Sequence, residues 1–193
     1  MLRKVLNIYR ERERERDGKS KSFTLIELLI VVAIIGILAA LIIVSVTTAA
    51  AKARDVKRQE DLRNIQKALE MYYTANGSYP SNGSTWWGAD CANNGYGNHA
   101  TSGSSGYVPN LAPLYISTLP LDPRGGTISC GVDTHGGCYL YESNGSDYKL
   151  LAYEVVETTL ATQTNSLSQF YDPEGRSTSE CSYALYTPGA KMW

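Results

Sequence analysis

The chain has little of what catalysis or metal chemistry requires. Among its 193 residues there are two histidines, His99 and His135, and both stand in glycine-rich stretches. It holds no phosphate loop and no nucleophile motif, so no catalytic residue and no cofactor is expected. The four cysteines, Cys91, Cys130, Cys138 and Cys181, include no C-x-x-C pair, and with His99 or His135 they do not give the ligand spacing of structural zinc. No metal site is expected either. The acid pairs Asp172 with Glu174 and Glu154 with Glu157 read as a loop and a solvated face. The sequence also lacks a charge of one sign, since its formal net charge is −1. That balance hides an asymmetry: residues 1–22 carry eight Lys/Arg against four acids, and residues 72–193 carry four against ten. An acidic C-terminal part argues against nucleic acid as a partner.

What the chain does have is one long apolar run. From Phe23 to Ala51 it reads FTLIELLIVVAIIGILAALIIVSVTTAAA, with Glu27 its single charge. A run of this length suffices to cross a lipid bilayer as a helix. A carboxylate inside such a helix costs roughly 2.5–3.5 kcal/mol at the centre and less near an end, so it calls for a partner. Residues 1–22, with Glu and Arg alternating from Glu11 to Arg16, lack the apolar core of a secretory signal. Their excess of Lys/Arg beside the span favours keeping that flank in the cytoplasm, which turns the C-terminal domain outward.

The residues at the junction carry a resemblance. KSFTLIELLIVVAIIGILAA, Lys21 to Ala40, closely resembles the processing and assembly motif of type IV pilins and type II secretion pseudopilins. The resemblance implies several things for this chain. A prepilin peptidase cuts between Ser22 and Phe23, the new N-terminus at Phe23 is methylated, and Glu27 serves filament assembly. Ser22 departs from the glycine usual before the cut; the one leader glycine, Gly18, would leave Glu27 too deep. The implied partners are copies of the chain or related pilins, the prepilin peptidase, an inner-membrane assembly platform, and the bilayer before assembly. The implied location is the inner membrane, by a single N-terminal span, and then a cell-surface or periplasmic filament. Some pseudopilins bind calcium in a late loop, and Asp172-Pro173-Glu174-Gly175 offers oxygen ligands without the spacing of a dedicated calcium loop.

Beyond the span, Leu62, Ile65, Leu69 and Tyr72 are spaced three, four and three apart, the stripe of an amphipathic helix with one face on a domain. Asn76-Gly77 supplies its cap and Pro80 blocks its resumption. Residues 81–107, rich in Gly, Ser, Asn and Thr, read as a long surface loop. In it Trp86 and Trp87 pin the loop to the domain rather than form a ligand platform. Leu111 to Leu119 reads as a short helix or turn. Cys138–Tyr141 and Tyr148–Tyr153 flank Asn144-Gly145 as two antiparallel strands, and Cys181–Tyr186 supplies another.

The expected fold class is therefore α+β, a long N-terminal helix packed on a small antiparallel sheet with long loops. The expected divisions are a cleaved leader 1–22, an apolar half-helix 23–51, an amphipathic half-helix 52–76 and an exported β-rich domain 77–193. Four cysteines allow three pairings. Cys130 and Cys138 enclose a glycine-rich turn, so the expected bridges are Cys130–Cys138 and Cys91–Cys181. Two functions stay open: a polymerising structural subunit, or a membrane-tethered binding module that does not polymerise.

Overall fold

The computed structural model describes residues 23–91, 96–125, 137–158, 170–174 and 182–193, without the side chains of 41–45. The chain forms two units, Met1–Thr47 and Thr48–Trp193, and helix α1, Leu25–Asn76, runs through the boundary. In the first unit α1 is apolar and open. Phe23 is 81% exposed, and from Leu25 to Leu38 every large apolar side chain is at least about half exposed. Among the described residues no helix is long and apolar enough to cross a membrane.

In the second unit α1 ends as its sequence requires. Gly77 adopts φ +75°, and its N–H donates to the Tyr73 carbonyl at 2.7 Å, a conformation that costs a glycine little. The stripe falls on the buried face: Leu62, Ile65 and Leu69 are fully buried, and Tyr72 packs at their edge. Four strands complete the domain, β1 Trp87–Ala89, β2 Cys138–Ser143, β3 Tyr148–Tyr153 and β4 Tyr183–Tyr186, followed by a 3-10 turn at Pro188–Ala190. They lie in sequence order and every pair is antiparallel. The α+β arrangement expected from the sequence is the one found.

Alternation along the strands divides the core in two. Tyr139, Tyr141, Tyr148, Leu150, Ala152, Tyr183 and Leu185 join Leu62, Ile65 and Leu69 of α1. The tyrosines reach polar partners from that core: Tyr139 donates to Asp61 at 3.0 Å and Tyr141 to the Pro80 carbonyl at 2.7 Å. The intervening residues Cys138, Leu140, Leu151 and Ala184 point to the opposite face, where Trp86, Cys91 and Tyr96 cover them.

That second cover corrects the reading of 81–107 as a surface loop. Part of it is β1, which pairs with β2 with Ala89 opposite Tyr139. Leu111–Leu119 is a series of turns with a cis Ala112–Pro113 bond. The β1 register also corrects the disulfide. Carrying the chain two residues past Ala89 brings Cys91 beside Cys138, with Cα atoms 5.1 Å apart, and these two are bonded. The expected pairs Cys130–Cys138 and Cys91–Cys181 are therefore both wrong. Their other members, Cys130 and Cys181, lie outside the described residues. Gly88 makes room for the bridge, because a Cβ there would collide with the Cys91 sulfur and the Leu140 side chain.

Peptide mapping without reductant should recover Cys91 linked to Cys138. Replacing both by serine should lower stability by about 2–4 kcal/mol in a denaturant titration.

Candidate functional site

At the start of α1, Thr24 and Glu27 form a reciprocal capping box. The Thr24 backbone N–H donates to Glu27 Oε2 at 2.9 Å, the Thr24 hydroxyl donates to the same oxygen at 2.7 Å, and the Glu27 N–H donates back to Thr24 Oγ1 at 3.2 Å. Glu27 thus satisfies orphan donors of its own helix when no other chain is present. The signature Thr-x-x-Glu stands in the sequence at 24–27 and was readable there as a cap. Phe23, immediately before it, is exposed. Ser22 lies outside the described residues.

The domain contains a second polar constellation, built on Asp55 and Arg58, which continue the Leu62–Ile65–Leu69 stripe backwards along α1 at the same helical spacing and are buried with it. Arg58 is 1% exposed. Its Nε donates to Asp122 Oδ2 at 2.6 Å and its Nη2 to Asp122 Oδ1 at 3.1 Å, a two-pronged grip on one carboxylate. Its Nη1 donates to Asp55 at 2.7 Å and to Glu157 at 2.9 Å. Asp55 in turn accepts the Glu157 and Thr158 backbone N–H groups and the Thr158 hydroxyl. Arg54 and Arg124 close the ring on Glu157 from outside. The network ties α1 to the loop after Pro120 and to the segment after β3.

Its electrostatics follow from that geometry. The hydrogen bonds from Arg54 lower the Glu157 carboxyl from 4.5 to about 2, against an opposing effect of burial, and Arg58 and Arg124 add to the lowering. Burial works against the Arg58 charge, but its bonds to Asp122, Glu157 and Asp55 outweigh it and raise its affinity for the proton. Of these contacts, only the i, i+3 pair Asp55–Arg58 was legible in the sequence. Asp122 and Glu157 stand 64 and 99 residues from Arg58, and no local pattern joins them.

The remaining candidates have structural occupations. Trp87 packs against the helix-side core and stacks on His99 with ring centroids 4.1 Å apart, and Trp86 packs on the Leu140 face, so both rings pin their segment to the domain. His135 lies outside the described residues. Asp172, the possible calcium ligand, is fully buried and accepts a 2.8 Å hydrogen bond from the equally buried Lys149 ammonium. Lys149 also donates to the Trp193 carbonyl at 2.9 Å. The Asp172 carboxylate is thus already matched by a cation of the chain itself. Among the described residues no group of three or more His, Cys, Asp or Glu side chains is arranged to hold a metal ion.

An apolar, open N-terminal helical segment, continued by helix into a small antiparallel α+β domain, defines the pilin-like class of protein. Comparison with known proteins gives the family. Residues 17–50 match the prokaryotic N-terminal methylation motif. The chain is 30% identical over 137 residues to the type II secretion system core protein G of Escherichia coli (strain K12), covering 67% of this chain and 83% of that protein. It is 49% identical over 63 residues to the type IV wide pilus major component PilA4 of Thermus thermophilus, covering 33% of this chain and 48% of that protein. It is 41% identical over 63 residues to core protein G of Pseudomonas aeruginosa, 33% of this chain and 44% of that protein. The match thus spans about half the length of the last two. No solved structure matches the chain significantly. The chain belongs to the type IV pilin and type II secretion pseudopilin family.

Two measurements check the network. Arg58→Ala should cost about 3–5 kcal/mol, because it leaves buried carboxylates without their cation, whereas Arg54→Ala at the part-buried rim should cost less, because Arg58 and Arg124 still hold Glu157. With a lowered carboxyl value, the stability contributed by Glu157 is complete above about 4.5 and lost as the pH falls from there to about 2. Tm should drop across that window, and Glu157→Gln should flatten that part of the profile; an unchanged profile would contradict the assignment.

Proposed function

We propose that this chain is a structural subunit of a pilus-like or pseudopilus filament, held in the inner membrane before assembly with its domain outside. The observation that carries the reading is the open apolar surface from Phe23 to Leu38, broken only by Glu27. Water does not tolerate so continuous a surface, and exposed apolar area of this extent marks an interaction site. Acyl chains cover it while the subunit waits in the bilayer. Neighbouring helices cover it in the filament.

The chemistry of Glu27 fits both states. Prepilin peptidase cuts between Ser22 and Phe23 and leaves an ammonium at Phe23, which is then methylated. Before assembly the Glu27 carboxylate is occupied by its own Thr24. In the bundle it faces the Phe23 ammonium of an adjacent copy, and the two charges compensate each other in apolar surroundings. Such a pair adds little net stability, but it fixes register, because a displaced copy leaves a buried charge alone. The partners are other copies or related pilins, the peptidase and an inner-membrane assembly platform. The reading gives no residue a catalytic part and calls for no cofactor. Trp86 and Trp87 are used in packing, which removes the main support for a tethered binding module.

Protein recovered from the cell envelope should begin at Phe23; Met1 at the N-terminus would refute the processing step. Filaments sheared from cells should be abundant with the wild-type chain and reduced at least tenfold with Glu27→Ala. Equal yields would refute assembly through this carboxylate.

A further inference from the structure

Three Asn-Gly-Ser triplets occur in the chain, at 76–78, 82–84 and 144–146. Each has the form of an acceptor for N-linked sugar, Asn-x-Ser with x other than proline. The fold brings them together at the end of the domain where α1 finishes: the Tyr79 N–H donates to the Gly145 carbonyl at 2.8 Å and the Asn82 N–H to the Ser143 carbonyl at 3.3 Å. It treats their side chains very differently.

Asn76 spends its amide on the helix terminus, donating to the Tyr72 carbonyl at 2.9 Å and the Tyr115 hydroxyl at 3.1 Å. Asn82 is 7% exposed and donates to the Thr85 and Tyr141 carbonyls at 2.8 and 2.9 Å. Its Oδ1 accepts from the Ser143 N–H. Asn76 is exposed and Asn82 is buried, but in both the amide nitrogen already donates two hydrogen bonds. Asn144 is exposed at the tip of the β2–β3 hairpin. Its Oδ1 accepts the N–H groups of Ser146 at 2.9 Å and Asp147 at 2.8 Å. Two backbone donors converging on one atom identify that atom as oxygen. The Nδ2 left over has no hydrogen-bond partner among the described residues and faces outward with the exposed Ser146.

We propose that Asn144 is the N-glycosylation acceptor of this subunit, a proposal that rests on the domain being exported. In the transfer, Asn144 Nδ2 bonds to the anomeric carbon of a sugar carried on a polyprenyl pyrophosphate. The carbon–oxygen bond to the pyrophosphate breaks, the lipid pyrophosphate leaves with the electron pair, and the amide loses one proton to a base of the transferase. The competing reaction of an Asn-Gly pair is restrained. Closing a succinimide requires the Gly145 nitrogen to reach the Asn144 side-chain carbonyl carbon, and that N–H is held by Ser143 Oγ at 3.0 Å.

The test uses the full chain from its own host in two arms. In the first, peptides from envelope protein should show the mass of at least one sugar on Asn144, with Asn76 and Asn82 bare. The shift should vanish in Asn144→Gln and Ser146→Ala and persist in Ser146→Thr. In the second, purified folded chain is incubated with solubilised host membranes and a polyprenyl-pyrophosphate oligosaccharide, which bypasses export. An unmodified or merely deamidated Asn144 in this second arm, no transfer at all in those membranes, or equal labelling of all three asparagines would overturn the proposal. Digestion of the domain by protease added to spheroplasts reports export separately: transfer in the second arm with the domain protected in such cells would fault the exported-subunit reading and leave the acceptor site standing.

Discussion

Strands β2, β3 and β4 carry apolar side chains on both faces, and a sheet so built must be covered twice. The helix does this on one side with Leu62, Ile65 and Leu69. The other side falls to a segment rich in glycine, serine and asparagine, whose few large residues, Trp86 and Tyr96, are placed over Leu140 and Leu151. Such a segment has little apolar area with which to offset the entropy of ordering its backbone. Its attachment is accordingly backed by a short strand and by a covalent bond from Cys91 to Cys138. Gly88 allows the sulfur to come close enough.

The helix is held on its side of the sheet by two kinds of contact. Apolar burial resists separation but is nearly indifferent to a small slide or roll. The Arg58 network is directional, since a guanidinium gripping Asp122 in two places while meeting Asp55 and Glu157 has few alternative positions. A buried ion pair contributes modestly to net stability and strongly to the uniqueness of an arrangement when its loss leaves a charge unpaired. The Lys149–Asp172 pair does the same for the C-terminal segment, through the Trp193 carbonyl. A subunit repeated along a filament requires a domain mounted in one way on its own portion of the helix.

The first unit follows the opposite rule. Among its described residues the apolar side chains are left uncovered, and the one carboxylate, Glu27, is engaged by a local cap that any incoming cation must displace or share. Stability of the domain is thus internal, whereas the cover for the N-terminal segment comes from its surroundings. In the function proposed above, the bilayer and then the filament supply it.

Local order was decided by the sequence alone. The length of α1, its end at Asn76-Gly77, the buried stripe, the β2–β3 hairpin and a strand near Tyr183 all follow from spacing and turn chemistry, which act over a few residues. So did the family, because its motif is one continuous run. Tertiary structure decided what depends on residues far apart in the chain. A three-residue strand inside a polar segment has no periodicity to reveal it, so the true partner of Cys138 was hidden with it. Spacing puts Arg58 on the buried stripe, but the carboxylates Asp122 and Glu157 that make its burial tolerable come from far along the chain. Of three identical Asn-Gly-Ser triplets one amide is left open: Asn76 and Asn82 each donate once to a nearby carbonyl and once to a residue far along the chain, the Tyr115 hydroxyl and the Tyr141 carbonyl, which the three letters do not reveal.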